Sequence, residues 1–233
     1  MSEALTRKTG PTLNQPNSIW PGFGGVQAAE AAVRPGTGIL LKGHNLVFGI
    51  GHVTIRIVPR NPAKWMSERP AYFVHRAEDG SLVPNLDQYG NPYFTIGAGP
   101  DAQHDTLGFG CFVNPHTVQA TLTSGISRKD DVEKPSQDLA PIWYTRAYED
   151  NYIYDLIVHT EAYANNLGYV CIPRADNDGY NSNSFALGLL RAAHLGPPPF
   201  LYKESFATCS PTNPYGCDAY PGWQKPVPTA SFR

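Results

Sequence analysis

The chain has 233 residues, 41% of them hydrophobic and 12% aromatic, with a formal net charge of −2. That is enough apolar material for one large core, and the absence of a basic patch or charge run argues against nucleic acid or an anionic membrane surface as the principal partner. No stretch approaches the roughly 18 apolar residues of a membrane-spanning helix, and 22 glycines with 22 prolines place much of the chain in loops.

Residues 1–24 read as an irregular N-terminal arm, with Trp20 and Phe23 as anchors onto the body. The first 17 residues are polar and lack the apolar core of a signal peptide. The expectation is a soluble product made in the cytoplasm, exported only by a route that needs no cleaved signal. The alanine-rich run 26–33 predicts a short helix stopped by Pro35 and Gly36. Short apolar runs follow at 38–41 and 46–50. In 53–58, Val53, Ile55 and Ile57 alternate with Thr54, Arg56 and Val58, the period of a half-buried strand. His52 stands at its head. His44, in Gly43-His44-Asn45, is a second histidine nearby, with no clear strand directly after it.

Residues 61–90 are rich in turn formers and hold one expected strand at 71–74. Another is expected at 93–97, where Gly97 and Gly99 point to close backbone approach or a special turn. Those glycines make no phosphate loop, because no lysine follows and no βαβ unit surrounds them. Further strands are expected at 109–113 and 118–122, and 128–137 reads as a charged surface loop. The clearest helical period runs over 149–164, with Tyr152, Ile153, Leu156, Ile157 and Tyr163 on one side. His159 within it reads as a helix-surface histidine. A short strand is expected at 168–173. The proline- and aromatic-rich tail 196–233, with Tyr220-Pro221-Gly222-Trp223, reads as a wrap on the same domain, whose body spans 25–195.

The stretch that organises the chain is Gly179-Tyr180-Asn181-Ser182-Asn183-Ser184-Phe185, followed by an apolar run to Leu195. Asn181, Ser182 and Ser184 are all N-cap residues, whose side-chain oxygens can accept from the first turn's N–H groups. Plain capping is the commonest use of such residues. The helix behind them is apolar nearly all round, which predicts burial. A hydroxyl-bearing tip on a buried helix is a rigid mounting for a nucleophile, and the helix dipole favours negative charge there.

Asn181-Ser182-Asn183-Ser184-Phe185 resembles the Asn-Cys-x-x-Phe element of permuted papain-like proteins, among them the lecithin:retinol acyltransferase-like group and the PPPDE peptidases. Their fold is shared more widely with NlpC-type cell-wall peptidases. In the permuted members a strand-borne histidine precedes a nucleophile at the start of a buried helix, the order of His52 and Ser182 here. The resemblance covers two short motifs and the element order between about 44 and 195. It implies an α+β fold: an antiparallel sheet packed against the nucleophile-bearing helix, with long loops. It also implies acyl transfer. His52 would take the proton of Ser182, the first-turn N–H groups near Asn183 and Ser184 would help hold the oxyanion, and Asn181 and Asn183 would be the oxyanion- or substrate-binding residues. A third residue would orient His52. Thr95 is the choice for that role, with Asp87, Gln88, His75 and Asp101 as rivals. Ser184 is the alternative nucleophile. The family nucleophile is cysteine, and serine in its place is the departure. An inactive domain that binds a ligand or partner is the competing reading. The substrates implied are peptidoglycan peptides or lipid esters. A bacterial effector or toxin, with an immunity or secretion partner, is the setting such a chain would suit.

No cofactor or metal is expected. Asp101, His104 and Asp105 lack a partner cluster with zinc-like spacing, and the calcium-like run 176–181 has its glycine too early and no downstream glutamate, so a polar turn is the better reading. Cys209 and Cys217 bracket a turn-rich loop that permits a local disulfide, which would mark an oxidising destination. Cys111 and Cys171 read as buried structural thiols.

Overall fold

The computed structural model describes residues 36–45, 51–100, 116–120, 126–142, 146–173, 177–195, 220 and 222–233. These belong to a compact unit, Pro35–Arg233. The N-terminal arm, the 26–33 helix, the 109–113 strand, the group Asp101, His104 and Asp105, and the cysteines Cys111, Cys209 and Cys217 lie outside the described residues.

Among the described residues nine strands follow in chain order: β1 (Gly38–Asn45), β2 (Gly51–Val58), β3 (Val74–Arg76), β4 (Leu82–Pro84), β5 (Phe94–Ile96), β6 (Ala98–Pro100), β7 (His116–Ala120), β8 (Gln137–Pro141) and β9 (Gly168–Tyr169). The helices are α1 (Pro62–Glu68), α2 (Lys129–Glu133), α3 (Glu149–Ala162) and α4 (Ser182–Ala192). The main sheet has the order β5-β2-β1-β8, and smaller sheets pair β3 with β4 and order β6-β7-β9. All of these strand pairs are antiparallel. The described architecture is thus mixed α and β with antiparallel sheets.

β2 departs from the half-buried strand its alternation suggests. It lies between β1 and β5, and every residue in it except Arg56 is buried. Val53, Ile55 and Ile57 join the core with Ile39 and Leu41 of β1. The other face carries His52 and Thr54, both buried despite their polarity. The register sets His44 of β1 directly opposite His52 of β2, so both imidazoles leave the sheet on one side.

α4 is buried from Ser182 through Leu190, as its apolar circumference requires. The described part of the C-terminal tail packs along it. Val227 N–H donates to the Ser184 carbonyl at 3.0 Å, and Phe232 meets Phe185 and Tyr163 with ring centroids 5.5 and 5.1 Å apart. Gly188 permits this crossing, because a Cβ there would stand 2.5 Å from the Val227 carbonyl oxygen. α3 begins with Glu149 and Asp150, whose charge suits a helix N-terminus. Asp150 accepts from Trp65 Nε1 at 2.9 Å and Lys64 Nζ at 2.8 Å, which ties α1 to α3. His159 on α3 bonds the Phe232 carbonyl at 2.8 Å.

Other expectations need correction too, and the strand expected at 168–173 is confined to Gly168–Tyr169. Residues 70–73 form a 3-10 turn before β3 rather than strand, because Pro70 starts a turn that buries Tyr72 and Phe73. The segment 128–137 is not simply a surface loop: it contains α2, with Asp131 buried on its inner side. Cys171 is not a free thiol but is disulfide-bonded. No helix among the described residues is long and apolar enough to cross a membrane.

Candidate active site

The site forms where the start of α4 meets the head of β2. His52 Nδ1 lies 2.7 Å from Ser182 Oγ. His52 Nε2 lies 3.0 Å from Asp131 Oδ1. The three residues come from positions 130 and 79 apart in sequence, and all are at least nine-tenths buried. A carboxylate can only accept, so Nε2 carries the proton toward Asp131. Nδ1 is then the bare nitrogen and accepts from the Ser182 hydroxyl. This is the tautomer a general base needs.

Both ring nitrogens of His52 are therefore engaged, which removes Thr95 from the orienting role. Thr95 sits on β5 opposite Arg56, and its buried hydroxyl has no hydrogen-bond partner among the described residues. Its rivals are placed elsewhere. Asp87 caps the 87–91 turn through Tyr89 and Asn91, and Gln88 is exposed. His75 bonds Asn85 Oδ1 at 2.8 Å and Glu133 Oε1 at 3.1 Å, which fastens the last turn of α2 to β3.

Asp131 was the residue to find, and its signal lies in charge spacing. Lys129 pairs with Glu133 and Asp130 with Lys134, both at i,i+4 on the outside of α2. Asp131 has proline at i+4 and serine at i−4, and one turn of helix points it inward. Gly97 makes room for it, since a Cβ there would stand 3.0 Å from Asp131 Oδ2.

The start of α4 is fixed by two asparagine side chains. Asn181 Oδ1 accepts from the N–H groups of Asn183 and Ser184, each at 3.0 Å. Those two amides were expected to hold an oxyanion. The cap already occupies them, so they are structural. The Ser182 N–H is the first-turn amide that Asn181 leaves uncapped. Asn183 works on the histidine strand instead. Its Oδ1 accepts from Val53 N–H at 2.8 Å, and its Nδ2 donates to the Gly51 carbonyl at 2.9 Å. The side-chain amide thus pairs with the β2 backbone on both sides of His52, beyond the reach of β5, which pairs only with 55–57. Ser184 points away from His52 and donates to the Gly222 carbonyl at 3.0 Å. Ser184 is fully buried there, as a tie to the tail.

His44 stands beside the relay, its ring centroid 4.7 Å from that of His52. Burial, then the neighbouring His52, pulls its pKa from 6.5 down to about 4. The folded chain therefore holds His44 neutral where the unfolded chain protonates it. The unfolded state binds more protons between about pH 4 and 6.5, so stability falls as pH drops through that window. The loss attributable to His44 is on the order of 3 kcal/mol at most. Urea midpoints measured at pH 7 and pH 4.5 should show it as a steeper acid loss in the wild type than in His44→Gln.

No family model, curated protein or solved structure matches the chain.

Proposed function

We propose that the chain is a serine hydrolase or acyltransferase in which Ser182 is the nucleophile, His52 the base and Asp131 the residue that orients the base. The observation that carries this reading is the unbroken relay from Ser182 Oγ through both nitrogens of His52 to a buried carboxylate. A serine hydroxyl is a weak nucleophile and needs such an oriented base.

The chemistry follows from the proton positions. As Ser182 Oγ attacks an ester or amide carbonyl, its proton passes to His52 Nδ1. The imidazolium is stabilised by Asp131 across the Nε2 bond. The carbonyl oxygen becomes an oxyanion, and the Ser182 N–H, at the positive end of α4 and left uncapped by Asn181, is the amide that would receive it. His52 returns the proton to the leaving alcohol or amine. Water or an acceptor then attacks the acyl-Ser182 ester, with His52 again as base.

The permuted papain-like resemblance supports the same assignment, since the strand-borne histidine precedes the nucleophile at the start of a buried helix. It also supports peptidoglycan peptides or lipid esters as substrates. An effector acting outside the producing cell is consistent with the disulfide at Cys171, since such bonds persist in oxidising compartments. A phosphonate probe that reacts with activated serines tests the reading: one adduct on the wild type and none on Ser182→Ala is expected. A silent binding domain would keep these hydrogen bonds and take no adduct.

A further inference from the structure

One ligand atom from each of His44, His52 and Asp131 lies within 4.8 Å of the other two, and all three residues are buried. We propose that these residues form an inhibitory site for a divalent transition-metal ion of the zinc class, which holds the serine relay in its inactive tautomer. Two imidazoles and one carboxylate are a donor set that suits zinc. The spacing already comes close to what the ion requires. Ligands at about 2.0–2.1 Å in a tetrahedron stand roughly 3.3 Å apart, and His52 Nε2 is 3.0 Å from Asp131 Oδ1. The metal would take the place of the proton shared by that pair. His44 would close in from the neighbouring strand, where the register already sets it opposite His52.

A second observation points to a ligand independently. Among the described residues Asp131 Oδ2, buried on a side chain with 0% exposure, has no hydrogen-bond partner. That oxygen packs against Gly97, so the carboxylate charge is poorly compensated, and a cation held at Oδ1 would offset it.

The consequence for the relay is a matter of proton position and rests on the proposed serine chemistry. A metal on Nε2 takes that nitrogen's lone pair, so the neutral ring must carry its proton on Nδ1. Nδ1 then donates to Ser182 Oγ rather than accepting from it, and the base is lost. The Nε2 proton leaves as Nδ1 gains one, so binding releases no net proton from His52. Ser182 is not a ligand in this arrangement.

Cobalt(II) is the probe, because a tetrahedral site with nitrogen and oxygen ligands gives it intense visible absorption. The full chain is titrated with Co²⁺ and, by calorimetry, with Zn²⁺. Wild type and Ser182→Ala should each bind one equivalent. His44→Gln and Asp131→Asn should bind roughly 100-fold more weakly or worse, a loss at least as large as removing an outer-shell partner causes. Imidazole resonances of His44 and His52 should broaden with Co²⁺ in the wild type, a readout that needs no variant to fold. Zn²⁺ should also block phosphonate labelling of the wild type, with recovery after chelation. Absence of one-equivalent binding in the wild type, or wild-type affinity in His44→Gln, overturns the proposal. If no labelling occurs with or without metal while Co²⁺ binds as described, the serine chemistry fails and the metal site stands.

Discussion

Asp131→Asn is expected to lower turnover by roughly 10⁴-fold, the scale seen when the orienting acid of a serine triad loses its charge. The side chain keeps its shape, and both of its orientations fail. If the amide nitrogen faces His52 Nε2, the ring must place its proton on Nδ1, where it confronts Ser182 Oγ. If the amide oxygen faces Nε2, the tautomer survives but no charge balances the imidazolium. The fold should not suffer for the change. Asp131 is buried with one oxygen unpartnered among the described residues, so the neutral amide removes a desolvated charge, and the urea midpoint should hold or rise. Loss of activity with unchanged or increased stability is the mark of a residue kept for chemistry. Turnover within tenfold of wild type would remove Asp131 from the relay.

Asn183→Ala is expected to cost about 3 kcal/mol or more, with activity falling alongside. The substitution strands the Gly51 carbonyl and the Val53 N–H inside the protein, and each unpaired buried group costs about 1–3 kcal/mol. Those groups flank His52, so their loss also frees the histidine from the start of α4. Ser184→Ala is the useful comparison. It removes one neutral hydrogen bond, to the Gly222 carbonyl, and should cost about 1 kcal/mol. Denaturation midpoints of the two variants should therefore differ clearly. Equal midpoints would mean that Asn183 does not hold the strand.

The parts of the site that could be read in the sequence were those with a local signature. The α4 helix announced itself by an apolar circumference after a cluster of capping residues, and β2 by its alternation with a histidine at the head. The hydrogen bond between Ser182 and His52 joins the tips of those two elements. Asp131 is hidden in the sequence because α2 is a single turn inside a run of charges. Its outer ion pairs made the segment look like solvent-exposed loop, and only their i,i+4 phase singles out Asp131. Thr95 lies on a strand near His52, and nearness along the sheet carries no information about which way a ring nitrogen points. Asn183, from its place in the first turn, reads as an oxyanion- or substrate-binding residue. Its actual role, mimicking a strand partner for β2, depends on where β5 stops, which no local pattern encodes. His44 was undervalued for a related reason: the hairpin register that sets it opposite His52 is a property of two strands together.

The most direct test of the serine assignment is intact-mass analysis after exposure to a fluorophosphonate, with wild type beside Ser182→Ala, Ser184→Ala, His52→Ala and Asp131→Asn. The expected result is a single adduct on wild type and on Ser184→Ala, none on Ser182→Ala or His52→Ala, and slow labelling of Asp131→Asn. An adduct that persists in Ser182→Ala, or a folded wild type that takes none in the absence of metal, would contradict it.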